Sequence, residues 1–219
     1  MFHEYLLGQI LDLPDAPLLI QEVSNKLNEE RVRREKFYND IDDSQKVEFI
    51  NGEIVVHSPV TKKHNQATGL LFQLLNIYCH KYSLGFVGIE KIMTVFTRND
   101  YEPDLVFFGN TKAQTFKPEQ TLFPVPDFVV EVLSKSTAKQ DRGLKFNDYE
   151  THQVAEYWII DPDTETVEQY LLQDNRYYLQ LKSTNGTIKS HVIQGFEIPI
   201  RAIFEVSTNV ETLQVLMNS

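Results

Sequence analysis

Three scarcities in this sequence of 219 residues exclude whole classes of protein. Cys79 is the only cysteine, which excludes an intramolecular disulfide and a cysteine-based zinc site and favours a cytoplasmic location. No run approaches the roughly 20 apolar residues that span a bilayer, so we expect no membrane partner. Basic residues are scarce too: 21 lysines and arginines against 31 acidic residues give a net charge of −10. That charge argues against a nucleic-acid partner, because binding to phosphate needs lysine and arginine.

The acidic excess is not spread evenly along the chain. Residues 1–56 carry a net charge of −6 and residues 156–219 carry −5, whereas residues 57–155 carry +1. The middle segment is therefore electrically different from both ends. The acidic total does not exclude a nucleic-acid partner for that segment.

Periodicity and turn residues predict a single α/β domain with a mixed central β-sheet flanked by helices. Asn51-Gly52, the preferred pair for a type I′ turn, predicts a β-hairpin, and a second hairpin is predicted near the C-terminal end. The predicted helices cover residues 18–38, 61–82, 138–152 and 210–217. The predicted strands cover residues 47–50, 54–56, 86–90, 93–97, 105–108, 128–133, 156–161, 167–172 and 177–181.

These elements divide the chain into three parts. Residues 1–46 form an N-terminal helical extension, residues 47–205 form the main domain, and residues 206–219 form a C-terminal tail. The extension contains a dense run of opposite charges three and four residues apart, which favours a solvated helix face over a basic arm that contacts phosphate.

Two carboxylates fall where acidic residues are costly. Asp104 follows Pro103 at the start of a strand, and Glu131 lies inside the nearly continuous apolar run of residues 128–133. Such carboxylates repel each other unless a cation lies between them, and oxygen ligands suit Mg²⁺ or Mn²⁺. A strand-end carboxylate that faces water, or one paired with lysine, remains the alternative.

A lysine in the next element lies within reach of these acids. Asp141, Lys145 and Tyr149 are four residues apart, which places them on one face of the predicted helix. Lys145 then points back toward Glu131 and can orient or deprotonate a water. An ordinary ion pair between Asp141 and Lys145 is the alternative.

These motifs together resemble a known bacterial family. They are Glu102-Pro103-Asp104, the run PDFVVEVLSKST over residues 126–137, the run DRGLK over residues 141–145, and the run EYWIIDP over residues 156–162. Together they resemble the Uma2-type restriction endonuclease family of the PD-(D/E)XK nuclease superfamily. The hairpin at residues 48–53 and His64 also match, and the resemblance covers roughly residues 40–205.

The resemblance implies a restriction-endonuclease-like core and a Mg²⁺-dependent (or Mn²⁺-dependent) DNA endonuclease. A metal-activated water would hydrolyse the phosphodiester bond. Carried onto this chain, Asp104 and Glu131 are the metal ligands, Lys145 is the catalytic lysine, and Glu48 is the upstream glutamate of the catalytic set. The expected partners are DNA and, because a duplex has two strands, a second copy of the chain. The second hairpin and the N-terminal helix are the candidate contacts of that homodimer.

The chain departs from the superfamily pattern at one position. The pattern has lysine two residues after the second acid, where this sequence has Leu133. Lys145 on the following helix takes that role, and Lys135 remains its rival.

Substrate contacts are predicted from the basic residues around these motifs. His64, Lys135, Lys139 and Arg142 are the candidates, although His64 also fits a cap or a surface histidine. The other five histidines show no metal-ligand spacing. A DNA enzyme further predicts an open cleft lined by Lys112, Lys117, Lys135, Lys139 and Arg142.

Two other functions remain open. The first is a catalytically weak accessory protein of a mobile element or defence system, which binds nucleic acid on the same fold. The second is a metal-dependent phosphoesterase of small molecules, which predicts a deep closed pocket. Fold alone does not decide between these functions.

Overall fold

The computed structural model describes residues 2–42 and 45–218, and within these ranges the chain forms helices packed on mixed β-sheets. The α-helices are α1 (Phe2–Leu11), α2 (Ala16–Asp40), α3 (Lys62–Tyr82), α4 (Asn110–Ala113), α5 (Ala138–Asp141), α6 (Leu144–Thr151) and α7 (Val206–Asn218). The strands are β1 (Val47–Ile50), β2 (Glu53–Val56), β3 (Gly85–Ile89), β4 (Met93–Val95), β5 (Asp100–Tyr101), β6 (Leu105–Gly109), β7 (Leu122–Phe123), β8 (Phe128–Val132), β9 (Glu156–Asp161), β10 (Thr166–Gln173), β11 (Arg176–Ser183), β12 (Thr187–Lys189) and β13 (Glu197–Pro199).

The larger sheet has the strand order β11-β10-β9-β8-β6-β3, and its β8–β9 pair is parallel while its other pairs are antiparallel. The smaller sheet has the order β2-β1-β5-β4-β7. Strand β8 is completely buried, as its apolar run predicts. The mixed α/β architecture predicted from the sequence is thereby observed.

Local sequence explains the elements that border the site. Thr61 caps α3 by accepting a hydrogen bond from the backbone N–H of His64, and Leu71 and Leu74 of this helix are completely buried. Asn51 and Gly52 both have positive φ, as a type I′ turn requires, and they join β1 to β2. The hairpin and α3 thus begin and end close to their predicted positions.

Two apolar cores lie on opposite faces of the larger sheet. Trp158 and Ile160 of β9 belong to the core that also contains residues of α3 and α7. Tyr157 and Ile159 of the same strand belong to the core that contains Tyr149 of α6. This alternation follows from the two-residue period of a strand, and it places functional side chains on defined faces.

The N-terminal extension is longer and better anchored than the sequence predicts. Helix α1 was not predicted, and α2 extends two residues beyond each predicted end. Arg34 of α2 forms an ion pair with buried Asp100, and Phe37 packs on Phe49 of β1 with ring centroids 5.5 Å apart. The C-terminal half of α2 is therefore part of the packed structure.

The single helix predicted over residues 138–152 was wrong. Gly143 has the non-helical angles φ −123° and ψ −90°, which separate α5 from α6. A Cβ at this position would lie 2.9 Å from the carbonyl oxygen of Lys139, so a larger residue would force the two segments apart.

The C-terminal helix begins four residues earlier than predicted and packs on α3, where Asn209 donates to the carbonyl of Leu70 at 3.0 Å. In the described ranges, no helix is both long and apolar enough to cross a bilayer.

Candidate active site

The carboxyl end of β8 and the start of β6 open into a cavity of about 680 Å³. Its wall also includes the N-terminus of α3 and the first hairpin. The cavity is lined by Lys46, His57, His64, Asp104, Glu131, Lys135 and Lys145, among others. Five of the predicted site residues therefore share one cavity with each other and with two basic residues that the prediction omitted.

Asp104 lies immediately before β6, and both of its carboxylate oxygens have partners. Oδ1 accepts from Lys46 Nζ at 2.9 Å, while Oδ2 accepts from the backbone N–H of Val132 at 2.8 Å and lies 3.2 Å from His64 Nε2. Burial by itself raises the pKa of Asp104, but Lys46 and His64 outweigh it and hold that pKa well below its usual value. Asp104 is thus a fixed anion.

Glu131 lies on β8 with its side chain 2% exposed, and it is a different kind of carboxylate. Its Oε1 accepts from Lys145 Nζ at 3.0 Å and from the Tyr149 hydroxyl at 2.7 Å. Burial raises the pKa of Glu131 to about 8; Asp141, Asp104 and Glu48 act in the same direction against Lys145. Such a group is stabilised by either a proton or a cation.

Lys145 is buried among carboxylates near the start of α6. Its Nζ lies 2.8 Å from Glu48 Oε1, 3.0 Å from Glu131 Oε1 and 3.6 Å from Asp141 Oδ1. Burial alone lowers the pKa of a lysine, but these three carboxylates raise the pKa of Lys145 well above its usual value. The side chain keeps its proton, so it orients groups rather than removing protons from them.

The rival lysine occupies a different position. Lys135 is exposed and lines the mouth of the cavity, and in the described part of the chain no hydrogen bond or ion pair joins it to Asp104 or Glu131. The break at Gly143 turns the start of α6 toward β8, which is why the lysine more distant in sequence reaches the acid. Of the two lysines proposed for the catalytic role, Lys145 is therefore the one that contacts a predicted acid.

Glu48 of β1 ties the hairpin to this cluster. Oε1 accepts from Lys145 and from the backbone N–H of Glu102 at 3.0 Å, while Oε2 lies 2.9 Å from His57 Nε2. Burial raises the pKa of Glu48, but Lys145 and His57 oppose it and bring it to about 2. Glu48 therefore remains ionised and holds Lys145 beside Glu131.

Sequence reasoning missed two members of the cluster, Lys46 and His57. Lys46 and Glu48 are two residues apart and so project from one face of the hairpin, and His57 lies opposite Lys46, to whose carbonyl its backbone N–H donates at 3.0 Å. The available signal was this spacing of charged residues along a predicted hairpin. A search for metal-ligand spacing among the histidines could not find His57, because His57 contacts the carboxylate of Glu48 rather than belonging to a group of metal ligands.

The predicted substrate-binding residues separate into two groups. His64 and Lys135 line the cavity, and His64 is 3% exposed, so the surface-histidine alternative is wrong. Lys139 and Arg142 do not line it, and Arg142 donates to Glu168 Oε2 at 2.6 Å instead. The predicted basic cleft also differs from the structure. Lys112 is paired with Asp127 at 2.6 Å, and of the five basic residues predicted for the cleft, Lys135 alone lines the cavity.

The oxygen donors of the site fit a hard divalent cation. Within residues 2–42 and 45–218, no three His, Cys, Asp or Glu side chains form a metal cage. Mg²⁺ needs no such cage, since it is commonly bound by one or two carboxylates, waters and substrate phosphates. Asp104 and Glu131 supply two carboxylates on one cavity, and in the described ranges Glu131 Oε2 accepts no hydrogen bond.

One solved structure and one curated protein are similar to this chain. A crystal structure of "a putative nuclease belonging to DUF820" from Anabaena variabilis matches with a TM-score of 0.67 and 17% identity, covering 82% of this chain and 97% of that one. This likeness confirms the predicted nuclease-like fold. An uncharacterized protein of Synechocystis sp. is 29% identical over 151 residues, which are 67% of this chain and 84% of that protein.

The family comparison covers most of the chain. Residues 34–201 match the family described as "Uma2: Putative restriction endonuclease". That range includes Glu48, Asp104, Glu131 and Lys145, and it begins inside α2, close to the residues that anchor this helix. The chain therefore belongs to the Uma2 family, the restriction-endonuclease-like family that its motifs predict.

Proposed function

We propose that this chain is a Mg²⁺-dependent or Mn²⁺-dependent endodeoxyribonuclease that hydrolyses phosphodiester bonds at the cavity lined by Asp104 and Glu131. The observation that carries the proposal is the convergence of Asp104, Glu131 and Lys145 from three separate elements on one cavity. A purely structural ion pair would not need a second buried carboxylate beside it, since uncompensated burial of charge is costly.

Each residue has a distinct task in this proposal. Asp104 and Glu131 would hold the cation, which would supply activation of a water and stabilisation of negative charge on the phosphoryl group. Lys145 donates hydrogen bonds from a fixed position, and Glu48 keeps its ammonium group there. Tyr149 fixes the Glu131 side chain by donating to Oε1, which leaves Oε2 for a ligand.

DNA is favoured over a small phosphoester because of the mouth of the cavity. Exposed residues such as Val60, Lys135 and Ser136 form part of its lining, so the site lies near the surface rather than in a closed pocket. A duplex phosphate can reach such a site without leaving its backbone. Lys135 is the rim residue that we assign to phosphate contact.

The predicted homodimer remains a proposal as well. Tyr178 and Leu179 are about half exposed on β11, the edge strand of the second hairpin, and Leu18, Ile20 and Val23 are exposed on α2. Either surface could receive a second copy, which would supply the site for the second strand.

Cleavage of plasmid DNA with Mg²⁺, Mn²⁺ or EDTA tests the proposal. We expect the wild type to cut with either metal, and Asp104→Ala and Glu131→Ala to lose about a hundredfold or more of the rate. Glu131→Ala should melt near the wild-type temperature, because it removes an acid whose burial is poorly compensated, whereas Asp104→Ala should melt lower, because it leaves Lys46 and His64 without their carboxylate, so cleavage is compared per folded molecule. Asp163→Ala is the matched control, since Asp163 lies on the rim and pairs with exposed Lys63.

The outcomes separate the competing functions. A protein that binds DNA without cutting it under any metal condition would be the accessory protein of the alternative reading. A protein that cuts no DNA and gains no thermal stability from either metal would contradict the metal-dependent proposal altogether.

A further inference from the structure

Lys46 makes a contact that the catalytic proposal does not use. Its ammonium group lies 2.9 Å from Asp104 Oδ1, and it lines the same cavity. Asp104 is one of the two carboxylates assigned to the cation. The Lys46 ammonium therefore occupies one carboxylate oxygen of a residue that is proposed to bind the metal.

The two lysines of the site are held very differently. Lys145 is 2% exposed and has three carboxylates around it, whereas the Lys46 side chain is 21% exposed. In the described part of the chain, the Asp104 carboxylate is the one group that bonds the Lys46 ammonium. Lys145 is locked in place, but Lys46 can leave Asp104 by rotating its side chain into the cavity.

The backbone of Lys46 would stay in place during such a rotation. Its carbonyl accepts the backbone N–H of His57 at 3.0 Å, next to the first pair of the hairpin. A lysine side chain has four rotatable carbon–carbon bonds and a compact charge, so the ammonium can move several ångströms from a fixed Cα. The movement therefore needs no rearrangement of β1.

We infer that Lys46 is a displaceable counter-ion of Asp104 that gives way to the divalent cation and then binds the phosphate of the substrate. The inference rests on the proposed function and adds a positioning residue to it. A divalent cation beside Asp104 repels the ammonium and competes with it for the same carboxylate. Once displaced, the ammonium needs a new anion, and the phosphodiester that enters the cavity provides one.

This arrangement couples metal binding to substrate binding. Without substrate, Lys46 lowers the affinity of the site for the metal, because its ammonium group occupies the Asp104 carboxylate. With a phosphate in the cavity, Lys46 gains a partner outside Asp104, and the metal loses its competitor. The two ligands should therefore strengthen each other's binding, and the coupling should depend on the charge of Lys46.

Titration of the protein with Mn²⁺ by calorimetry, with no DNA present, is the decisive test. Lys46→Met should bind Mn²⁺ about fivefold more tightly than the wild type, because the competing charge is gone. Lys63→Met is the matched control: it removes an equal charge from an exposed residue that pairs with Asp163, and its Mn²⁺ affinity should be unchanged. Lys46→Gln, which keeps a hydrogen-bond donor without charge, guards against a folding defect in the methionine variant.

A second titration measures the coupling with a short phosphorothioate DNA duplex at saturating Mn²⁺. Lys46→Met should bind this duplex about fivefold more weakly than the wild type, although it binds the metal more tightly. Unchanged or weaker Mn²⁺ binding by both Lys46 variants would overturn the inference while leaving the nuclease proposal intact. A wild type that binds no Mn²⁺ even with the duplex present would overturn both.

Discussion

Two buried glutamates on neighbouring strands of one sheet show what distinguishes a structural carboxylate from a candidate catalytic one. Glu131 of β8 and Glu156 of β9 are 2% and 0% exposed, and their strands pair in parallel. They point to opposite faces of the sheet, because Glu131 is in register with Ile159 of one core and Glu156 neighbours Trp158 of the other. The two glutamates are therefore buried to nearly the same extent, but different residues surround their carboxylates.

Glu156 is fully satisfied by neutral donors. Its Oε1 accepts from Trp158 Nε1 at 2.6 Å and from Gln169 Nε2 at 2.7 Å. Its Oε2 accepts from the Ser190 hydroxyl and from the backbone N–H groups of His191 and Val192. Such a carboxylate joins β9 to the chain that follows β12, and it has no capacity left for a ligand.

Glu131 has the opposite arrangement. Its hydrogen bonds converge on one oxygen, its neighbours include other carboxylates, and it borders a cavity. The comparison teaches that a buried acid marks a functional site when its hydrogen bonding is incomplete and other carboxylates lie close to it. The following predictions test this distinction.

The largest effect on folding is expected for Glu156→Gln. The amide nitrogen of glutamine would replace one of the two carboxylate oxygens and would face the N–H or O–H groups that now donate to that oxygen. At least two buried hydrogen bonds would then be lost. We expect the free energy of unfolding to fall by about 3 kcal/mol in urea titrations. DNA cleavage per folded molecule should stay at the wild-type level, and a specific loss of cleavage would show that Glu156 serves the site as well.

This distinction could not be made from the sequence alone. Both glutamates lie in apolar runs, and four of the five partners of Glu156 come from residues 13 to 36 positions further along the chain. The strand pattern, the Asn51-Gly52 turn and the helical spacing of leucines predict the fold because they are local signals. The bonding around a buried acid depends on contacts between distant segments, which a periodic pattern does not encode.

The same limit explains the site residues that were found and missed. Asp104 and Glu131 were predicted because a charge in an apolar strand is costly, and Lys145 because it shares a predicted helix face with Asp141 and Tyr149 and because the motifs together resemble a known family. Arg142 belongs to the same motif but pairs with Glu168 of β10, a strand that approaches it only in the folded chain. Lys46 lacks a motif of its own, so only the hairpin register brings it to Asp104.

A third glutamate gives an intermediate effect and a pH signature. Glu168 accepts from Arg142 and Lys182, and although burial raises its pKa, these partners lower that pKa to about 2. A lowered pKa adds stability above the unfolded value near 4.3 that is lost as the pH falls toward 2. Glu168→Gln should therefore lower the free energy of unfolding by about 1–2 kcal/mol at pH 7. This value is smaller than the full pKa shift implies, because Arg142 and Lys182 are partly exposed and water screens their charges.

Urea titrations at pH 7 and pH 3 measure this difference for the wild type and for Glu168→Gln. The two curves should approach each other at the lower pH, because below about pH 4.3 the unfolded wild type binds a proton at Glu168 that the folded protein, with its lowered pKa, does not bind. A difference that stays constant with pH would show that Glu168 acts through packing rather than through its charge. It would then resemble Glu156 more closely than its charged partners indicate.

The smallest effect on folding is expected for Glu131→Gln, which is the direct counterpart of Glu156→Gln. Glutamine keeps an oxygen that accepts from Lys145 and Tyr149 and places its amide nitrogen toward the cavity. Like the protonated Glu131 that a pKa of about 8 favours at pH 7, it puts no charge beside the three other carboxylates. In EDTA, the free energy of unfolding should match the wild type or exceed it by up to about 1 kcal/mol. If this variant instead loses as much stability as Glu156→Gln, then Glu131 is held for the fold, and incomplete bonding of a buried acid does not identify a site in this protein.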